Sequence, residues 1–385
     1  MIKSLLSRNY FYAVTTLVGT IVGVGVFGLP YAFAKAGFFV GLVHLVLLGS
    51  VTMIIHLMFG EIILRTKERH NLPGYIEKYM GKRWEALISF STLLGIFGSM
   101  IAYILVGGTF LDILAVKLAG ISDVPNYIFY ISFWLFLTVL IFLGLKTIEM
   151  VEFGMTIVLL VAVAGIAFFS APHINIDHLF EFSALNAFLP YGVILFSLAG
   201  TVAIPEVREI LLGNEKRMKS AIVIGITVPM LIYGLFTFVI DGVTGVATTP
   251  EAISGLGAVV GWPVYVLGAL FGILAIATSY ITFGYYLYET FLLDYGINKL
   301  LAHLLIAVVP ISFVLFGLRD FIAIIGFLGA VMGGFEGITM ILTYFKAKKM
   351  GDRNPEYSLK LPHFVYYILI LTFVLGMVYT LAYGA

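Results

Sequence analysis

The chain has 385 residues, of which 61% are hydrophobic and only 11% charged, and its mean hydropathy is +1.08. A water-soluble domain so poor in charge would expose large apolar patches, so lipid is the solvent this composition suits. The net charge of +1 and the lack of a basic tail speak against a nucleic-acid partner, and the absence of cysteine excludes disulfides, thiolate metal sites and cysteine nucleophiles.

Apolar stretches long enough to cross the hydrocarbon core are predicted at 11–39, 40–64, 86–118, 126–145, 148–170, 184–212, 219–242, 262–290, 299–317, 320–345 and 363–384. The expected architecture is an all-α membrane protein with eleven transmembrane helices and one domain over 1–385. Its N-terminal stretch is a retained first helix, too long in its apolar run for a signal-peptide core. Little polar chain remains, which argues against an enzyme needing a water-exposed scaffold. Lys and Arg cluster in alternate connections, among them Arg65, Lys67, Arg69, Lys216, Arg217, Lys348 and Lys349. The other connections carry Asp123, Asp177, Glu181, Asp241 and Glu251 with few cations. By the positive-inside rule the N-terminus is cytoplasmic and, with an odd number of spans, the C-terminus is outside the cell membrane.

The first and sixth spans differ from the rest. The first contains Gly23-Val24-Gly25-Val26-Phe27-Gly28-Leu29-Pro30, the sixth Phe196-Ser197-Leu198-Ala199-Gly200-Thr201 followed by Ile204-Pro205-Glu206. Gly is costly in a helix interior and Pro removes a backbone donor, so both segments are expected to unwind. Unwound backbone at membrane depth is tolerated where it lines a cavity or is buried in protein. Equivalent points lie five spans apart, so the breaks fall at matching positions of two five-helix halves. Five is odd, and the halves, about 11–170 and 184–345, must run in opposite orientations, leaving 363–384 as an accessory helix. That is the pattern of an inverted-repeat transporter with its site between the breaks. Gly-rich spans also serve plain helix packing. Gly23-x-Gly25-x-x-Gly28 matches the dinucleotide pattern literally, but lies in an apolar span without the required strand and acidic residue.

Gly19-Thr20-Ile21-Val22-Gly23, running on to Leu29-Pro30-Tyr31-Ala32-Phe33-Ala34-Lys35-Ala36-Gly37-Phe38, resembles the first helix of the amino acid/auxin permeases. Ala275-Ile276-Ala277-Thr278-Ser279-Tyr280 and the loop Arg65-Thr66-Lys67-Glu68-Arg69-His70-Asn71-Leu72-Pro73-Gly74-Tyr75 are similar to the tyrosine/tryptophan permeases. The resemblance implies the amino acid–polyamine–cation superfamily and its leucine-transporter-type five-plus-five inverted-repeat fold.

An amino acid brings a carboxylate, an ammonium and a side chain. Free amides at the half-helix after Gly25, with Gly23 and Val24, suit the carboxylate. Carbonyls released around Phe196, Ser197, Leu198 and Gly200, and those before Gly23, suit the ammonium. Tyr103 is a candidate hydroxyl donor or pocket wall, with helix packing as the plain alternative; Phe27, Phe196 and Phe283 are candidate apolar walls. Ala275, Thr278 and Ser279 share one helix face. The resemblance joins them to the Gly19 and Val22 carbonyls as a five-oxygen Na+ site, although membrane Thr and Ser also bond back to their own helix. Glu336, deep in the tenth span, is a candidate proton site. Glu206 follows Pro205 in the second half of the sixth span, whereas Glu61 and Glu152 sit nearer the cytoplasmic ends of their helices, where water or basic residues can meet them. His44, His56 and His303 fit satisfied helix histidines. Thr248 to Gly261 with Pro250 is expected to form a lid.

The expected function is cation-coupled uptake of a neutral, apolar or aromatic amino acid by alternating access, with Na+ as coupling ion. No covalent cofactor is expected, and the partners are the small-molecule substrate and membrane lipid. Proton coupling, exchange and metal-ion carriage on the same fold remain open, as does a non-transporting sensor, though only about ten residues precede the first span. The absence of HExxH, P-loop and nucleophile-elbow patterns argues against hydrolase or pump chemistry.

Overall fold

The computed structural model describes residues 2–121, 123–143, 149–293 and 295–384. The boundary expected between the spans 126–145 and 148–170, with Lys146, and the side chains of Lys3 and Glu152 lie outside the described residues. Within them every regular element is helical. The first half comprises α1 (Ile2–Ile21), α2 (Gly25–Ala36), α3 (Phe38–Leu64), α4 (Leu72–Met80), α5 (Lys82–Ala119), α6 (Asn126–Phe142) and α7 (Glu149–Ser170). The second comprises α8 (Leu189–Ser197), α9 (Ile204–Ile210), α10 (Met218–Thr244), α11 (Ile253–Val260), α12 (Trp262–Leu293) and α13 (Lys299–Leu315). It continues with α14 (Phe321–Phe327), a π-helical turn Leu328–Met332, α15 (Gly333–Met350) and α16 (His363–Tyr383).

Among the described residues seven helical spans are long and apolar enough to cross a membrane, and α1 with α2, bent by 56° at their break, makes an eighth. Three shorter apolar helices, Asn126–Phe142, Ile157–His173 and Lys299–Leu315, accompany them. This is a multi-pass membrane bundle, with Phe, Leu and Ile on its rim where lipid is the solvent.

The two interrupted spans lie at its centre. α2 packs on α8 and α1 on α9, so they run antiparallel, first half against second half. α3 and α10 pack together on one flank of the pair and α5 with α12 on the other, while α16 lies peripherally on α15. Glycine permits the closest approaches. A Cβ on Gly192 would come 2.1 Å from the Gly326 carbonyl oxygen, so α8 and α14 meet backbone to backbone.

Unwinding in the first span is narrower than expected. Only Val22–Val24 leave the helix, and Gly28 and Pro30 are helical residues of α2. Pro30 forgoes a single hydrogen bond, which surrounding packing tolerates in a membrane. A second correction concerns Asp241, expected in an outer connection. It belongs to α10 and is 1% exposed, because the helix continues to Thr244.

Candidate functional site

In the first break the chain leaves α1 with Gly23 N–H on the Ile21 carbonyl at 3.0 Å and re-enters helix with Phe27 N–H on the Val24 carbonyl at 3.1 Å. The amides of Val24 and Gly25 have no backbone acceptor among the described residues. They are free donors at the positive end of α2.

In the second break Leu198 to Gly200 leave the helix and Thr201–Ala203 form a 3-10 turn before Pro205 opens α9. Gly200 N–H donates to His56 Nε2 at 3.1 Å, and His56 Nδ1 lies 2.8 Å from the Thr52 carbonyl. An N–H facing Nε2 assigns the neutral tautomer, protonated on Nδ1. His56 is satisfied, as expected, and in being so it fixes the second break to α3.

The breaks touch. A Cβ on Gly25 would lie 2.4 Å from Ser197 Oγ and 2.8 Å from its Cα, so only glycine fits. The Ser197 hydroxyl is already spent on the Val193 carbonyl at 2.7 Å. Gly200 abuts Ile21 and Leu17 of α1. Gly23 faces elsewhere. Its Cβ would meet Tyr103 Oη at 3.3 Å and Ser279 Oγ at 3.6 Å, so α5, α12 and the first break converge there. The Tyr103 and Ser279 hydroxyls thus both face Gly23, and the buried Tyr103 ring lies 5.8 Å from that of Phe283.

Tyr233 is the residue that sequence reasoning missed. Fully buried on α10, its hydroxyl lies 2.9 Å from the carbonyl oxygens of both Ile21 and Ser197, one from each break. A phenol has one hydrogen, so it satisfies one of these carbonyls at a time. Nothing local marks a tyrosine in an apolar helix for this role; the register of α10 against both breaks brings it there.

A cavity borders the second break, and a vestibule opens on the opposite face of the bundle. On the face of residues 249–251 and 319–323 a vestibule of ≈ 650 Å³ is lined by Tyr31, Leu105, Thr109, Tyr130, Glu251 and Arg319. Phe27, fully buried, packs edge-on to Phe110 and Phe236, making it part of a plug rather than a pocket wall. On the opposite face a cavity of ≈ 120 Å³ has Phe196, Gly200, Phe283, Thr201 and Glu336 in its lining. A recess of ≈ 600 Å³ with His70, Lys82, Glu85 and Ser89 adjoins it, sharing Thr92. Of the segment expected to form a lid, Pro250 and Glu251 line the first vestibule, and residues 253–260 form the short helix α11.

The expected sodium ligands on α12 turn back on their own helix. Thr278 Oγ1 and Ser279 Oγ both donate to the Ala275 carbonyl, at 2.9 and 3.1 Å, and Ser279 adjoins Gly23. No contact places the Gly19 and Val22 carbonyls on these hydroxyls. Lys35 is engaged elsewhere, donating to the Val246 carbonyl at 2.9 Å over the Tyr31 ring. Among the buried acids, Glu336 accepts from Thr201, while Glu206 is exposed. His44 and His303 bond to carbonyls of their own helices, at 2.9 and 2.8 Å.

A membrane bundle whose two interrupted spans meet at their unwound turns, with a cavity beside the second break and a vestibule on the opposite face, has the build of a membrane transporter. Two solved transporters share its fold. A manganese transporter of Eremococcus coleocola, in complex with an aromatic bis-isothiourea compound, superposes with TM-score 0.66 at 14% identity, over 99% of this chain and 86% of that one. Mhp1, a nucleobase-cation-symport-1 family transporter in a closed conformation with bromovinylhydantoin bound, gives 0.64 at 15%, over 97% and 90%. The chain itself belongs to the tryptophan/tyrosine permease family, whose profile matches residues 7–380. It is thus a permease of an amino acid transport family and not an enzyme. Tyrosine-specific transport system 1 of Haemophilus influenzae is 24% identical over 360 residues, 88% of each chain. Tyrosine-specific transport system 2 of the same organism is 26% identical over 246 residues, 62% of this chain and 59% of that one.

Proposed function

We propose that this permease imports an aromatic amino acid by cation-coupled alternating access, through a site at the contact between its two helix breaks. The observation that carries the reading is the pair of free amides, Val24 and Gly25, opening α2 where it meets Ser197. A substrate carboxylate suits those donors, and the carbonyls of Ile21 and Ser197 suit its ammonium in exchange with the Tyr233 hydroxyl. Tyr103 and Gly23 border this position, Leu198 and Gly200 shape its floor, and Phe196 and Phe283 supply apolar wall. The names of the two Haemophilus relatives favour a tyrosine-like side chain.

In this reading the three shorter apolar helices also cross the bilayer, giving eleven spans with the N-terminus cytoplasmic and the C-terminus outside. The antiparallel packing of the two broken spans supports inverted repeats over about 11–170 and 184–345. The vestibule lined by Pro250 and Arg319 is then external, and the cavity beside Glu336 internal.

The coupling ion in this proposal is Na+, held by Ala275, Thr278 and Ser279 with the Gly19 and Val22 carbonyls. Oxygen donors without a carboxylate suit a hard monovalent cation, and Ser279 already adjoins the first break. A proton on Glu336 is the second reading, favoured by that carboxyl's place in the internal cavity and by the two hydroxyls that turn back on Ala275. The test is thermal unfolding of the purified protein with each of the twenty amino acids, in sodium or choline chloride. Aromatic amino acids should raise the transition temperature by mass action, more so in sodium. No shift with any aromatic amino acid would overturn the proposal. Equal shifts in both salts that instead follow pH would replace sodium by the proton.

A further inference from the structure

The internal cavity of ≈ 120 Å³ has walls of different character. Towards the breaks it is apolar, with Leu195, Phe196, Ile96 and Phe283. Its other part carries Ser91, Thr92, Thr201 and Glu336. Most of these polar groups are already partnered. The Ser91 hydroxyl rests on Met332 Sδ at 3.4 Å, and Thr201 donates to Glu336 Oε1. Two have capacity left. Glu336 Oε2 accepts no hydrogen bond from the described residues; its half-buried carboxyl borders the cavity on the first turn of α15, directly after the π-helical turn. Thr92 Oγ1 is buried without any partner among them.

A carboxyl oxygen that faces a cavity within a membrane span and has no protein donor must take one from whatever fills that cavity, and it becomes costly once an apolar occupant covers it. π-helical turns recur where a helix is shaped around a function. The cavity therefore offers an apolar slot ending in an acceptor that lacks a donor and a hydroxyl that can give or take. A flat ring bearing one N–H or O–H at its edge satisfies both ends. An all-hydrocarbon ring fills the slot and leaves Glu336 Oε2 unpaired.

We propose that Glu336, positioned by Thr201, recognises the hydrogen-bond donor on the ring of an aromatic amino acid, so that the protein takes tyrosine and tryptophan and discriminates against phenylalanine. This rests on the transport reading above and adds a specificity determinant to it. The ring enters between Phe196 and Phe283, and the phenol O–H or indole N–H donates to Oε2. The Thr201 hydrogen bond holds the carboxyl towards the second break, so a change of specificity is communicated to the segment that must rearrange in transport. Discrimination arises mainly from the penalty on the wrong ligand, because a buried acceptor left unpaired costs more than a made hydrogen bond returns.

The experiment measures binding of tyrosine, tryptophan and phenylalanine to the purified full-length protein, wild type and variants, by titration calorimetry. Wild type should bind phenylalanine about 10- to 100-fold more weakly than tyrosine, the range expected for one hydrogen bond to a charged group. Glu336→Met, which keeps length and removes the acceptor, should bring the tyrosine-to-phenylalanine ratio towards one. Thr201→Val, which keeps shape and frees the carboxyl, should reduce the ratio by a smaller factor and serves if Glu336→Met fails to fold. A residue with a merely structural role would lower all three affinities together and leave the ratio unmoved, and that result overturns the inference. Wild-type binding of phenylalanine as tight as that of tyrosine also overturns it while leaving aromatic transport intact. Failure of all three to bind wild type would remove the transport reading, and this inference with it.

Discussion

Two carboxylates in this bundle, Glu61 on α3 and Glu336 on α15, both fall inside predicted spans and are opposites in the structure. Glu61 is completely enclosed and its bonding capacity is filled. Arg65 donates to it at 2.9 Å, Ser358 at 2.8 Å, Tyr344 at 3.0 Å and the Leu359 amide at 2.6 Å. Those donors tie the connection between α15 and α16 onto the end of α3. The same strap carries Tyr357 on the Leu57 carbonyl and Arg353 on the Leu64 carbonyl. Glu336 has one protein donor and a cavity before it. The difference teaches that burial of an acid in a membrane span does not by itself signify chemistry. What matters is the bonding capacity left over after the fold has taken its share.

The largest effect that would sharpen this contrast is on Glu61. Glu61→Ala leaves Arg65 and the Leu359 amide without their acceptor, a loss of about 3–5 kcal/mol for one member of a buried pair. A large fall in the thermal transition is expected, whereas Glu336→Gln should lower it far less. A reversed order would show that Glu336 holds the fold and Glu61 does not.

The glycines of the first break give the next contrast. Gly25→Ala forces the breaks apart, since its Cβ falls within 3 Å of Ser197 backbone and side chain, and both binding and stability should suffer. Gly23→Ala meets only the Tyr103 and Ser279 hydroxyls at 3.3 and 3.6 Å, so the protein should fold normally and lose about tenfold in substrate affinity. Equal thermal stability of the two variants would refute the close contact of the breaks.

A smaller shift is expected at the proposed sodium site. Thr278→Ala or Ser279→Ala should raise the sodium concentration needed for half-maximal binding and spare affinity at saturating sodium, by reciprocal linkage. Sodium dependence identical to wild type would remove these hydroxyls from the site.

The smallest effect belongs to the strap. The Lys78 side chain, 2.7 Å away, and the Lys67 amide hold the Asp352 carboxyl below its ordinary range. Their contribution is complete above the usual carboxylate range and is lost as pH falls through that lowered value. Asp352→Asn should therefore change stability slightly at neutral pH and hardly at all in acid, where wild type has lost the same contact. The check is a pair of thermal unfolding series from neutral to acid pH.

The patterns of Gly, Pro and apolar residues made the membrane class, the paired breaks and the likeness to the tyrosine/tryptophan permeases legible. They did not show how far the first break unwinds, because whether Gly28 and Pro30 stay helical depends on their neighbours. The run 219–242 has Asp241 at its end, which suggested a place in the outer connection, whereas α10 continues to Thr244 and buries this acid. Thr278 and Ser279 were visible as one helix face, but a face has two uses, and the structure shows them bonded to Ala275.

The sequence by itself determined what periodicity and composition can encode. It set a helical membrane bundle, two interrupted spans at corresponding points and amide donors at the start of α2, because hydrophobic length and helix-breaking residues act locally. The tertiary structure alone decided which groups meet across helices. It set Gly25 against Ser197, the Tyr233 hydroxyl between the carbonyls of both breaks, and His56 under Gly200. It also filled the bonds of Glu61 while leaving one oxygen of Glu336 open, since hydrogen-bond satisfaction depends on neighbours brought from distant parts of the chain.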